Sequence, residues 1–235
     1  MTPASSRSGT PKHPLPPGPM IVPCLMIGRG RVMLPADGGP RIARDSDGRP
    51  LDVLDTVDLL LAEFPRLYVV DLDGVDDGQP QLDYLQEICR SADVWVDAGV
   101  RNADQAIDVL VTGARRAVLS SAYLESAKEL RRSWKLSQDL VFEVEVDDGR
   151  VHARSQEWDG RAVAEVLGPA RDLGLADVML GFRSTPVDWH LATEVSRAGP
   201  TWIEGTFERD AAPQLGEAGA AGGIFHVHGI VGGIT

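Results

Sequence analysis

Cysteine is scarce: Cys24 and Cys89 are the only two in 235 residues. So few thiols, so far apart, exclude a disulfide framework and a cysteine-built zinc cluster, and they fit a reducing cytoplasm. No apolar run approaches about 18 residues, which excludes a membrane-spanning helix. Basic residues are outnumbered, 23 Lys and Arg against 35 Asp and Glu, for a net charge of −12. A field of that sign works against a polyanion, so no nucleic-acid partner is expected, and it favours a cationic ligand. Residues 1–19 are rich in proline, serine, threonine and glycine and lack the apolar stretch of a secretion signal. They read as a disordered tail ahead of a single domain over residues 20–235.

What the chain does have is 43% apolar residues, enough for a sizeable core. The clearest segment is Leu67-Tyr-Val-Val-Asp-Leu-Asp-Gly74, an apolar run that stops at two carboxylates and a glycine. It reads as a buried parallel strand whose tip carries both acids on one side, because strand side chains alternate with period two. Further strands are expected at 21–27, 94–98, 117–121, 140–146, 177–182, 201–203 and 224–228. Amphipathic spacing predicts helices at 54–64, 82–89, 103–111, 122–136, 161–173, 187–197 and 211–218. Asn102 is a fitting N-cap, and Pro213 falls in a first turn where proline is tolerated. The polar, Arg-rich stretch 28–50 reads as a hairpin or loop over the strand tips. Eight strands alternating with helices is the arithmetic of a (βα)8 barrel; a doubly wound open sheet ranks second.

An internal repeat favours the barrel. Val94-Trp-Val-Asp-Ala-Gly-Val-Arg101 aligns with Thr201-Trp-Ile-Glu-Gly-Thr-Phe-Glu208, and each is followed by a helix and a Gly-Ala pair, Gly113-Ala114 and Gly219-Ala220. Strands three and four thus echo seven and eight, as in a barrel made of two similar halves.

On these residues the chain resembles the histidine-biosynthesis barrel family, which includes a ribotide isomerase and a cyclase. The pieces that carry the resemblance are Val22-Pro-Cys-Leu-Met26, Val70-Asp-Leu-Asp-Gly-Val75, Asp97-Ala-Gly-Val-Arg101 and Glu145-Val-Asp-Asp-Gly-Arg-Val151, with Arg154 and Glu157-Trp158 beyond. The resemblance implies a catalytic aspartate at the end of the first strand, where Met26 stands, and another on the fifth, where Glu145 stands. It also implies glycine-rich tips that hold two phosphates. Here those tips read Asp97-Ala-Gly99, Ser120-Ser-Ala122, Glu204-Gly-Thr206 and His226-Val-His228. A carboxylate in place of a phosphate-binding glycine repels the phosphate. A doubly phosphorylated substrate is therefore disfavoured, and a single phosphate is expected at most, at Ser120–Ala122.

In the barrel reading the strand tips converge. Glu145 and Asp97 are the acid/base candidates, since crowded carboxylates raise one another's pKa toward neutrality. Asp71, Asp73, Ser120, Ser121, Arg183, Glu204, His226 and His228 are the candidate substrate-binding groups. The competing reading pairs Asp71 or Glu143 with Arg101 or Arg183 as buried structure. His226-x-His228 has metal-ligand spacing, yet two histidines alone read as wall residues, so neither metal nor cofactor is assigned. Arg29, Arg31, Arg41 and Arg44 are weighed as an anion clamp over the mouth against a solvated loop. Gly28-x-Gly30 lacks the third glycine of a dinucleotide fingerprint.

The function expected is proton-transfer chemistry of isomerase or lyase/condensation type on a small cationic or singly phosphorylated metabolite. Resemblance alone adds a tie to one-carbon cofactor biosynthesis (methanopterin or methylofuran). The alternatives are the family's ribotide isomerase itself and a non-catalytic barrel kept as a binding or scaffold subunit. An enzyme needs a deep mouth where polar groups converge, whereas a scaffold predicts a mouth plugged by the first loop or the tail.

Overall fold

The computed structural model describes residues 18–36, 38–182, 186–205 and 211–226. In chain order the elements are β1 (Met20–Gly28), β2 (Arg31–Leu34), β3 (Arg41–Ile42), α1 (Val53–Leu61), β4 (Arg66–Asp71), α2 (Leu72–Asp77), α3 (Leu82–Ser91), β5 (Asp93–Asp97) and α4 (Ala103–Val111). They continue with β6 (Arg116–Ser120), α5 (Ala127–Leu136), β7 (Leu140–Asp147), β8 (Arg150–His152), α6 (Val163–Asp172), β9 (Val178–Phe182), α7 (Trp189–Arg197), β10 (Thr201–Glu204), α8 (Ala212–Glu217) and β11 (Gly222–His226). Strands β1, β4, β5, β6, β7, β9, β10 and β11 pair in parallel in that order, and β11 pairs back onto β1. The sheet is a closed (βα)8 barrel, as the spacing predicts.

Two cores follow from strand alternation. Outward residues such as Leu25, Val69, Val96, Leu119 and Phe142 meet the helices. Inward residues such as Val22, Tyr68, Trp95, Val118, Met179 and Trp202 fill the barrel. The repeated tryptophans meet inside: Trp95 and Trp202 stand edge to face with centroids 4.6 Å apart. The two halves of the sequence repeat therefore contribute equivalent rings to one contact, a geometry favoured by the aromatic quadrupole. At the N-terminal end Arg66 bonds Asp93 at 2.9 Å and lies over the Trp95 ring, while Arg116 reaches Asp177 at 3.3 Å. The charged floor leaves the opposite, C-terminal end as the place where polar groups face a cavity.

Helix starts follow local chemistry. Asp52, Asn102, Ser126 and Asp188 each accept backbone N–H bonds at an N-terminus, worth about 1 kcal/mol apiece. The stretch expected as one helix from 122 begins only at Ala127, because Ser126 caps it and a turn carries Tyr123 and Leu124 back to Ser120. The segment after β1 is a hairpin: β2 runs antiparallel to β1 and β3 to β2. Its turn amides are held by the second barrel strand's tip, Arg29 N–H by Asp73 at 3.0 Å and Gly30 N–H by Gln81 at 2.6 Å. Helix α2 departs from expectation. The strand stops at Asp71 because that side chain caps the amides of Asp73 and Gly74 and starts a helix, closed by left-handed Gly78. Of the expected tail, residues 1–17 lie outside the described residues.

Candidate active site

The C-terminal strand ends enclose a cavity of about 630 Å³. Asp97 on β5, Glu143 and Glu145 on β7, Glu204 on β10 and His226 on β11 line it. Glu143 and Glu145 share the inner face because they are two residues apart. Asp97, Glu143 and Glu145 are buried, at 6%, 2% and 5% exposure, so their charges meet little solvent screening.

Glu143 is the most perturbed acid. Burial, then the charge of Glu204, then a hydrogen bond with Glu204, and finally Glu145 and Asp97 all push its carboxyl well above the ordinary range. Burial and the neighbouring carboxylates therefore favour the protonated form of Glu143 beside Glu204. Gly181 on β9 makes room for it, since a Cβ there would stand 2.7 Å from Glu143 Oε1. Glu145 is set by serines: Ser120 Oγ donates to its Oε1 at 3.0 Å, and its own N–H donates to Ser121 Oγ at 2.9 Å. Ser121 Oγ donates onward to the His152 carbonyl at 2.8 Å, tying in β8. Asp97 accepts the Gly99 N–H at 2.9 Å. His226 Nε2 lies 3.8 Å from Glu204 Oε1. Below them, burial first and the surrounding carboxylates second raise the Cys24 thiol and the Tyr68 hydroxyl.

The structure thus brings together Asp97, Glu145, Glu204 and His226 at one mouth, with Glu143. It places four other candidates beside the cavity rather than in its wall. Asp71 opposes Ile27 in the ladder and shares the outward face with Val69. Its carboxyl is buried and taken up by α2 and by Gln81, whose Nε2 donates at 3.1 Å. Burial pushes it up against those hydrogen bonds. Asp73 is in α2 and faces the hairpin turn, so the two acids do not share one strand face. Ser120 and Ser121 spend their hydroxyls on β7 and β8. The amides of Ala122, Tyr123 and Leu124 turn back to Ser120, so this tip has no amide cradle left for a phosphate. Arg183 and His228 lie outside the described residues.

Arg101 lines the cavity without pairing with Asp71 or Glu143; its guanidinium donates to the carbonyls of Gly74, Val75 and Gly99 at 3.0–3.1 Å. Arg29, Arg31, Arg41 and Arg44 are exposed and none lines the mouth. Trp158 is buried against Phe142 outside the barrel, with centroids 5.4 Å apart. The sequence reading missed Asp76, which reaches the mouth from α2, and Tyr123, which reaches it from the turn before α5. It also gave Cys24 and Tyr68 no role, although the alternation Val22, Cys24, Met26 and Tyr68, Val70 marks both as inward.

A closed barrel with ionisable groups gathered at the C-terminal mouth defines a (βα)8 protein of the class whose ligands bind at strand tips. The sequence profile described as histidine biosynthesis protein matches residues 20–197, and the chain belongs to that family. Similar relatives include proteins of Rubrobacter xylanophilus, 30% identical over 72% of this chain and 70% of the relative, and Thermomicrobium roseum, 32% identical over 71% and 64%. Another, of Dehalococcoides mccartyi, is 30% identical over 57% of this chain and about half, 52%, of the relative's length. All three are named as phosphoribosyl imidazole-4-carboxamide isomerases. No helix among the described residues is long and apolar enough to cross a membrane.

Proposed function

We propose that this chain is a small-molecule enzyme that moves protons on a metabolite held in the mouth, an isomerisation or a lyase step. The observation that carries the reading is the convergence of Asp97, Glu143, Glu145 and Glu204 on one cavity, where Glu143 is pushed well above the ordinary carboxylate range. Glu145 is held by Ser120 and Ser121, and Asp97 by the Gly99 amide, so both carboxylates are oriented before substrate arrives. Oriented carboxylates in a partly dry site serve as general base and acid. The same acids favour a substrate bearing a protonated nitrogen. Arg154, exposed at the rim, is a cation in the cavity wall suited to an anionic group such as a single phosphate. Among the described residues the first loop contributes nothing to the cavity wall, which supports an open catalytic mouth over a plugged scaffold. Met26 lines the cavity where the resemblance implies an aspartate, and a thioether moves no proton. This supports a reaction other than that of the named relatives. The link to one-carbon cofactor assembly rests on resemblance alone, and a cytoplasmic setting on the two free cysteines.

The test is proton exchange. The purified chain is incubated in D2O with a small-metabolite extract, and mass spectrometry scores species that gain deuterium. Glu145→Gln and Asp97→Asn should each slow that exchange by about 10²–10⁴-fold. Exchange by no metabolite would favour the scaffold reading. Turnover of the relatives' ribotide by the wild-type chain would replace the reading with theirs, and isomerase activity appearing in Met26→Asp would mark the reaction as lost from this chain.

A further inference from the structure

One side of the barrel carries a thiol, a carboxylate and an imidazole in reach of one another, and of these only Glu204 enters the acid–base reading. Cys24 on β1, Glu204 on β10 and His226 on β11 come from three neighbouring strands, β10–β11–β1, with Cys24 and His226 directly paired in the ladder. One ligand atom from each lies within 4.8 Å of the others. Ligands held about 2.0–2.3 Å from a tetrahedral cation stand roughly 3.3–3.6 Å apart, so small side-chain rotations close the set. The His226–Glu204 edge is already at 3.8 Å. A second observation points the same way. Tyr68, paired across the ladder with Cys24, is fully buried and faces the barrel interior, and its hydroxyl has no hydrogen-bond partner among the described residues. A buried hydroxyl left unmatched costs on the order of 1–3 kcal/mol, a cost that a ligand accepting or donating there removes.

We propose that Cys24, Glu204 and His226 form a site for one divalent cation of borderline softness, zinc above all, with its fourth position open to the cavity. Thiolate and imidazole together select against magnesium and calcium, which take oxygen ligands, and favour zinc or cobalt. Three protein ligands and one open position is the pattern of a catalytic rather than a structural zinc site. Tyr68 adds a buried hydroxyl in the layer beside Cys24, opposite it in the ladder. The proposal shares Glu204 with the acid–base reading, and its readout is the metal and not turnover.

The experiment uses the full chain, stripped with chelator and titrated with cobalt(II) and, by calorimetry, with zinc(II). Expected are one ion per chain, the intense visible bands of tetrahedral cobalt and a near-ultraviolet thiolate-to-cobalt charge-transfer band. Cys24→Ser should abolish that band, Cys89→Ser should retain it, and Glu204→Gln and His226→Gln should each weaken zinc binding at least tenfold. Circular dichroism confirms the fold of each variant, and His226, with its side chain 27% exposed, provides a variant at the edge of the buried layer. A charge-transfer band that persists in Cys24→Ser would overturn the proposal. So would zinc affinity unchanged in His226→Gln, or a wild-type chain that takes up neither ion.

Discussion

Gly99→Ala should destabilise the protein by about 2–5 kcal/mol, the sum of a left-handed backbone penalty and overpacking. Gly99 has φ +62°, and a Cβ there would stand 2.6 Å from Val75 Cα and 2.8 Å from the Gly74 carbonyl. Both neighbours are backbone, so neither can swing aside. Gly74 makes the reciprocal contact, its own missing Cβ falling 2.5 Å from the Ala98 carbonyl. Two glycines thus let helix α2 lie directly against the third barrel strand's tip. Gly149→Ala is the internal control: its φ is +71°, with open space around the missing Cβ, so only the backbone penalty of about 1–2 kcal/mol applies. Urea denaturation of the three proteins decides the matter, and equal losses at Gly99 and Gly149 would refute the close-packing account. Because the Gly99 amide holds Asp97, the same substitution disturbs the mouth even in molecules that remain folded.

The barrel was legible because its signals are redundant. Buried parallel strands read as continuous apolar runs, and the Trp95 and Trp202 repeat exposes the duplication that their ring contact later displays. Strand boundaries fall within two residues of those the pattern predicts. The helix at 122 was misjudged because apolar spacing does not reveal that Ser126 caps a later start. Helix α2 was missed for a related reason. Asp71-Leu-Asp73-Gly74 was read by strand alternation alone, although an Asp two residues before an amide run, with Gly78 to follow, is also a cap-to-cap helix signature.

That one local choice explains most of what the candidate site gained and lost. With the strand ending at Asp71, Asp73 rotates toward the hairpin turn and Asp76 toward the mouth. The acids on strands that do continue, Asp97, Glu143, Glu145 and Glu204, reach the cavity as alternation requires. Hydrogen-bond commitments were not legible at all. Nothing in the string Leu119-Ser-Ser121 says that both hydroxyls will be spent on the neighbouring strand, because that depends on the ladder register of β6 on β7. Cys24 and Tyr68 needed only the inward parity of their strands, but a lone thiol and a lone phenol carry no spacing motif until Glu204 and His226 are folded beside them.

Glu143→Gln should flatten the fall of stability with rising pH in chelator-treated protein. The sign follows from linkage. Glu143 titrates higher in the folded state than in the unfolded chain. The folded protein therefore keeps a proton that the unfolded chain releases above about pH 4.3. The stabilisation is fully present below that pH and is lost as pH rises through the folded-state value, at up to about 1.4 kcal/mol per pH unit. Glutamine carries a permanent N–H donor toward Glu204 and releases no proton, so the variant should gain on the wild type steadily as pH rises above about 4.3. Gly181→Ala offers an independent arm. Its Cβ would stand 2.7 Å from Glu143 Oε1 and push the flexible carboxyl away from Glu204, so it too should reduce the slope while the barrel stays folded. Urea unfolding across that pH range measures both, and parallel pH profiles for wild type and Glu143→Gln would show that no proton is shared with Glu204. The outcome bears on chemistry as well as stability: in the proposed proton-transfer reading, Glu143, held well above the ordinary carboxylate range beside Glu145 and Asp97, is the group that would supply a proton donor among the acids.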